Sequence, residues 1–191
     1  MSNNKSKTSV PSYVAYYGMV RDPFSEKIEN DLFYAEPSRK QRLGTLAHLT
    51  QFGNELMIVT GPKGSGKSTL LQQFKTTSPN LWKFAHIETQ NGLDERKILQ
   101  QLYRKMGMEV RGATHNDLLE QIKIQFDLLQ RKGQYSIMLI DDADQLPVTA
   151  IKKIMEMASL ISSVNKPLLR IVLFGTEELI GKLTDPLLNQ Y

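Results

Sequence analysis

Leu56-Met57-Ile58-Val59-Thr60-Gly61-Pro62-Lys63-Gly64-Ser65-Gly66-Lys67-Ser68-Thr69 is the stretch that decides how this chain folds. Leu56 to Val59 form an unbroken apolar run, as a parallel strand buried on both faces requires. Gly61 to Ser68 then match the pattern G-x-x-x-x-G-K-[ST]. Glycines let such a loop curl until successive backbone N–H groups point inward and form a hollow for anions. A helix predicted from about Gly66 to Thr76 adds the positive end of its dipole. The expected phosphate cradle for ATP is therefore Gly61, Pro62, Lys63, Gly64, Ser65, Gly66, Lys67, Ser68 and Thr69. Lys67 would bridge the β- and γ-phosphates as a catalytic cation, and the Ser68 hydroxyl would ligate Mg²⁺. At average residue usage a chance match in a chain this long has a probability on the order of 1% or below. A merely structural glycine turn is the weaker reading.

Two later strand ends complete the pattern. Ile137-Met138-Leu139-Ile140-Asp141-Asp142 is an apolar strand that delivers carboxylates at its C-terminal edge. Alone this is a weak signal, but after a phosphate loop it gains force. Asp141 would hold Mg²⁺, mostly through water, and Asp142 would orient the attacking water. Ile171-Val172-Leu173-Phe174-Gly175 leads into Thr176. Thr176 has two compatible readings, a catalytic polar residue near the γ-phosphate and an N-cap for a helix starting at Glu177.

Between these strands the pattern changes period. Helices are predicted over Pro37–Phe52, Asp94–Met108, Asn116–Arg131, Thr149–Val164 and Glu177–Leu183, and a further strand over Phe84–Ile87. Strands alternating with helices imply right-handed crossovers and a parallel sheet covered on both faces, hence an α/β P-loop domain. Residues 1–12 are polar and unpatterned and read as a disordered tail, with the ATPase core spanning 13–191. Tyr13 to Tyr34 is an aromatic-rich opening segment, whose Tyr13, Tyr16 and Tyr17 lie where adenine is flanked in this class. Trp82 reads as a packing residue, and His48, His86 and His115 as isolated structural or surface residues without metal-like spacing.

Bulk composition narrows the function classes. Hydrophobic residues make up 40% and charged residues 23% of 191 residues, an ordinary soluble balance. No cysteine is present, which excludes disulfides and thiolate metal sites and suits a reducing cytoplasm. No apolar run is long enough to span a bilayer, and the N-terminus lacks a signal-peptide core, so membrane insertion by this chain is not expected. The net charge is +4. Lys and Arg are scattered, apart from Arg39-Lys40-Gln41-Arg42, so a solvated surface is favoured over a DNA-binding or lipid-binding patch.

Tyr16-Tyr17-Gly18-Met19, Asp22-Pro23-Phe24-Ser25 and Phe33-Tyr34 resemble the start of the ExeA-type secretion ATPases (general secretion pathway protein A). Lys97 to Met108 is similar to that family's helix after the second strand. Asp141-Asp142-Ala143-Asp144-Gln145-Leu146 stands where the family has Asp-Glu-Ala-Gln-x-Leu, and Leu173 to Leu179 where it has Leu-x-Gly-Gln-x-Glu-Leu. The resemblance runs from about Tyr13 to the C-terminus and extends to pilus-biogenesis ATPases, DamX-type septal proteins and, more distantly, transposition helper ATPases. It implies a three-layer AAA+ fold with sheet order 5-1-4-3-2. This chain would lack the fifth strand and the helical lid, as part of a longer protein. It also implies an ATPase that forms a homo-oligomer, exchanges ATP for ADP, and drives assembly of a cell-envelope machine through a protein partner. The domain would stay cytoplasmic, even if attached to an inner-membrane protein. The alternatives are a nucleotide-gated DNA-binding transposition helper and a scaffold that binds ATP with little turnover. One departure bears on rate: the family's catalytic glutamate position holds Asp142, one methylene shorter, which predicts slow hydrolysis.

Overall fold

The computed structural model describes residues 12–20, 22, 36–53, 56–89, 93–108, 115–162 and 165–189. The polar tail, apart from Ser12, and most of the aromatic opening segment, including Phe24, Phe33 and Tyr34, lie outside the described residues. The chain divides into two compact units, Met1–Glu36 and Pro37–Tyr191. In the first, a short helix α1 (Ser12–Tyr16) carries Tyr13, whose hydroxyl donates to a carboxylate oxygen of Asp22.

The second unit alternates helices and strands. In chain order these are α2 (Pro37–Phe52), β1 (Met57–Thr60), α3 (Lys67–Thr77), β2 (Trp82–Ile87), α4 (Glu95–Lys105), α5 (His115–Arg131), β3 (Tyr135–Ile140), α6 (Val148–Ala158), β4 (Arg170–Gly175) and α7 (Glu178–Leu183). All strand pairs are parallel, and the order across the sheet is β1-β4-β3-β2. This is the 1-4-3-2 part of the expected AAA+ order. Among the described residues β1 pairs only with β4. Along its other side runs a groove of about 870 Å³, lined among others by Arg42, Leu46 and Leu49 of α2 and by Met57, Ile58 and Val59.

The two faces of the sheet follow from the period-two geometry of strands. Met138, Ile140, Ile171 and Leu173 point to one side, into a cluster of 24 buried residues with α4, α5, α6 and α7. Ile137, Leu139, Val172 and Phe174 point to the other, joining Leu46 of α2, Leu71 and Phe74 of α3, and Trp82 in a cluster of eight. The result is three layers, helices on both faces of a sheet whose inner strands have no wet side. That is why β3 and β4 read as continuous apolar runs. Trp82 packs as expected, buried with its ring centroid 5.7 Å from that of Phe74.

Local signals set most boundaries. Asp94 caps α4, its carboxylate accepting the Lys97 N–H at 2.8 Å, and Gly107 ends the helix region with φ of 74°. Several boundaries differ from expectation, among them the start of β3 at Tyr135 and the end of α4 at Lys105. β2 begins at Trp82, two residues early, where Trp82 pairs with Tyr135 of β3 and its ring is buried in the smaller cluster. The helix predicted to reach Val164 stops at Ala158. Beyond it the chain makes a small antiparallel bridge between Ile161 and Pro167, with Leu168 N–H donating to the Leu160 carbonyl at 2.9 Å. Serines at 159 and 162 compete for backbone groups there: the Ser162 hydroxyl accepts the Lys166 N–H at 3.2 Å.

His86 on β2 makes the fold sensitive to acid. Its Nε2 is buried without a partner, and burial, with the nearby Lys75, holds its pKa below the ordinary histidine value. The unfolded chain then takes up a proton that the folded chain resists. Stability is fully present above about pH 6.5 and falls as pH drops through that value towards the folded pKa. The urea midpoint should decrease between pH 7.5 and 5.5 in the native chain, and the decrease should shrink in His86→Leu. An equal slope in both would remove His86 as the cause.

Candidate functional site

The loop between β1 and α3 is held in a shape that side chains oppose. Gly64 and Gly66 have φ of 78° and 85°, in the left-handed region. At Gly61 a Cβ would lie 2.9 Å from the Ser65 hydroxyl oxygen, so a side chain there would make Ser65 turn away. Ser65 N–H donates to the Pro62 carbonyl at 3.2 Å, and the Lys67 ammonium reaches back to the carbonyls of Gly61 and Pro62 at 2.9 and 3.0 Å. Gly66 brings no side-chain cap to α3, and its first turn carries no acid. The first N–H groups of this helix, with the positive dipole end, therefore face an anion without competition from a carboxylate. Ser68 and Thr69 lie in that turn. Arg39 of α2 also approaches, its guanidinium Nη2 3.9 Å from where a Cβ on Gly66 would sit.

Strand register brings the other ends alongside. Thr60 is level with Gly175, and Gly61 N–H donates to the Gly175 carbonyl at 3.3 Å, so the loop starts beside Thr176. Ile140 is level with Leu173, which sets Asp141 and Asp142 at the same edge of the sheet. Asp141 is fixed through its backbone and side chain together. Its carbonyl accepts from the Thr89 hydroxyl at 3.1 Å, and its carboxylate accepts the Asp142 N–H at 3.0 Å.

Asp142 turns in the left-handed region, φ 49° and ψ 41°, a conformation that aspartate tolerates better than most residues. Burial, Asp141 and Asp144 raise its carboxyl above the ordinary carboxylate value, while the ammonium groups of Lys67 and Lys63 pull it back down.

Thr176 is placed at the same edge, but not as a helix cap. α7 starts at Glu178 with Glu177 in the cap position and no side-chain cap, while the Thr176 hydroxyl is buried without a partner. The Thr176 carbonyl, not the hydroxyl, receives the Leu179 N–H at 3.1 Å. The capping reading is thus corrected. The chain enters the turn with its Thr176 N–H already bound to Asp144, at 2.9 Å, and its hydroxyl turned inward. Sequence reasoning missed Asp144, Thr89 and Arg39, whose positions depend on contacts between distant segments. The run Arg39 to Arg42 is split by the fold: Arg39 lies by the loop, and Arg42 lines the groove beside β1.

A family model described as an AAA domain matches residues 50–183, more than half of the chain and every element from β1 to α7. The chain belongs to the AAA domain family. Two curated relatives are similar to this AAA domain. General secretion pathway protein A of Aeromonas hydrophila is 26% identical over 185 residues, covering 93% of this chain and 32% of that protein. The Mu-like prophage FluMu DNA transposition protein B of Haemophilus influenzae is 26% identical over 129 residues, 68% of this chain and 42% of that protein. The chain thus spans less than half the length of either relative. Among solved structures, the ADP form of the ORC2 protein of Aeropyrum pernix superposes with a TM-score of 0.63 at 16% identity, covering 88% of this chain and 49% of that one. CDC6P of Pyrobaculum aerophilum gives 0.61 at 17% identity, covering 82% and 44%. These likenesses establish the three-layer AAA fold. No described helix of this AAA domain is long and apolar enough to cross a membrane.

Proposed function

We propose that this AAA domain binds ATP with Mg²⁺ on residues Gly61 to Thr69 and hydrolyses it, using the energy to drive assembly of a cell-envelope machine. The observation that supports it best is the strand register that sets the glycine loop, with Gly64 and Gly66 in the left-handed region, at the same edge of the sheet as Asp141, Asp142 and Thr176. Backbone N–H groups of the loop and of the first turn of α3 would hold the phosphates, and Lys67 would turn from its two carbonyls to the β- and γ-phosphates. The donors also suit Mg²⁺. Ser68 and Asp141 carry hard oxygen donors that, with waters and phosphate oxygens, would make the partly hydrated shell that Mg²⁺ prefers. When bound, Mg²⁺ supplies charge neutralisation for the phosphates. Asp142 would orient water, and Thr176 would have to turn its buried, unpartnered hydroxyl outward to meet the terminal phosphate.

The envelope role rests on the similarity to general secretion pathway protein A, which covers nearly the whole chain. A homo-oligomer and an envelope protein partner belong to the same reading. The transposition relative makes DNA the second reading. Phosphate release by the chain with Mg²⁺·ATP, measured with and without duplex DNA, separates them. A rate unchanged by DNA is expected. A DNA-stimulated rate would transfer the domain to the transposition-type reading, and failure to bind ATP would sink both.

A further inference from the structure

The turn that follows Asp141 and Asp142 is fastened to the end of β4. Residues Ala143–Gln145 form one turn of 3₁₀-helix, closed by Gln145 N–H donating to the Asp142 carbonyl at 2.9 Å. From this turn the Asp144 carboxylate crosses 32 residues of sequence to accept the Thr176 N–H at 2.9 Å. The approach is so close that a Cβ on Gly175 would lie 2.8 Å from that carboxylate oxygen and 3.3 Å from the Asp144 nitrogen. Gly175 has no left-handed φ to account for it; a side chain there would press on Asp144 first and on the Leu179 side chain, 3.1 Å away, next. A second fastening comes from α7: the Lys182 ammonium donates to the carbonyls of Asp144 and of Leu146, the latter at 2.8 Å.

We propose that Asp144 is a positioning residue that makes the β3 and β4 strand ends one rigid unit, so that Asp142 and the Thr176 hydroxyl keep a fixed separation during ATP hydrolysis. This rests on the ATPase reading above. Asp142 is exposed on a left-handed turn, and the Thr176 hydroxyl has no partner of its own. A carboxylate suits the role because it only accepts, and the group it must hold is a backbone donor. Asparagine keeps an acceptor oxygen at the same reach, whereas alanine leaves the part-buried Thr176 N–H without its partner.

The test is single-turnover hydrolysis of Mg²⁺·ATP, with binding measured in parallel. Asp144→Ala should lower the rate about tenfold while ATP affinity stays within about twofold, because the phosphate cradle is untouched. Asp144→Asn should restore most of the rate. Gly175→Ala, which pushes the carboxylate away from the other side, should give a similar loss. The double variant Asp144→Ala/Gly175→Ala should be no worse than either single change, since both break one contact. If Asp144→Ala does not fold, Gly175→Ala and Asp144→Asn decide the matter. Full activity in Asp144→Ala or in Gly175→Ala, or losses that multiply in the double variant, would overturn the proposal and leave the ATPase reading standing. A native chain that binds ATP without turning it over would instead sink the ATPase reading, and this proposal with it.

Discussion

Lys67→Ala is expected to remove tight Mg²⁺·ATP binding, weakening it on the order of a thousandfold. A lysine ammonium between two phosphates makes charge-assisted hydrogen bonds worth about 1.5–3 kcal/mol each. Losing two of them costs roughly 4 kcal/mol, which is three decades in Kd. The fold should be nearly unaffected. Among the described residues the ammonium bonds only the Gly61 and Pro62 carbonyls, in a part-exposed loop where water can replace it. The positive φ of Gly64 and Gly66 does not depend on it. Calorimetry with Mg²⁺·ATP on both forms, with thermal melts alongside, measures this. A folded variant with unchanged affinity would mean that the loop does not hold phosphate.

Asp142→Glu should raise kcat, by up to about a hundredfold, with ATP affinity held within a few fold. Water activation needs a carboxylate within about 2.6–3.2 Å of the nucleophile. A placement error of about 1 Å can cost roughly a hundredfold, or about 2.7 kcal/mol of barrier. Aspartate is about one C–C bond shorter than the glutamate that the family pattern has here, whereas the phosphates and Mg²⁺ are assigned to Lys67, Ser68 and Asp141. The structure bears on the competing outcome. Asp142 sits at φ 49°, where its N–H bonds the Asp141 carboxylate, and a longer residue in the left-handed region loses some stability. If that turn exists to carry the shorter side chain to the water, glutamate will overshoot and hydrolysis will slow. Single-turnover rates of the two forms decide between them.

The fold was legible because its strands are buried on both faces. Ile137 to Ile140 and Ile171 to Phe174 carry no polar residue, and such runs declare themselves without tertiary information. The loop was legible for a different reason: its glycines and lysine are fixed by local backbone geometry within eight residues. What could not be read depended on contact between segments far apart. The clasp of Asp144 on Thr176 spans 32 residues, and Arg39 meets Gly66 only because α2 packs beside α3. The early end of α6 belongs to the same class, because a bridge from Ile161 to Pro167 outcompetes weak helix propensity there. Of the two readings of Thr176, the cap fails because its hydroxyl is buried without a partner and Glu177 takes the cap position.

The sheet divides the interior unequally, and the lighter portion, eight buried residues under α2 and α3, is the one that meets the glycine loop. Free energies of local opening scale with the apolar contacts that must be broken, so amide protons on this side should exchange with solvent sooner than those of α4 and α6, which belong to the larger cluster. A phosphate ligand anchored on the first turn of α3 adds about 2.7 kcal/mol against opening at a hundred times its Kd. Deuterium uptake should therefore slow most in α3 when Mg²⁺·ATP is added, and least in α4, where protection is already set by packing. Uniform protection across both layers would mean that the unit opens only as a whole.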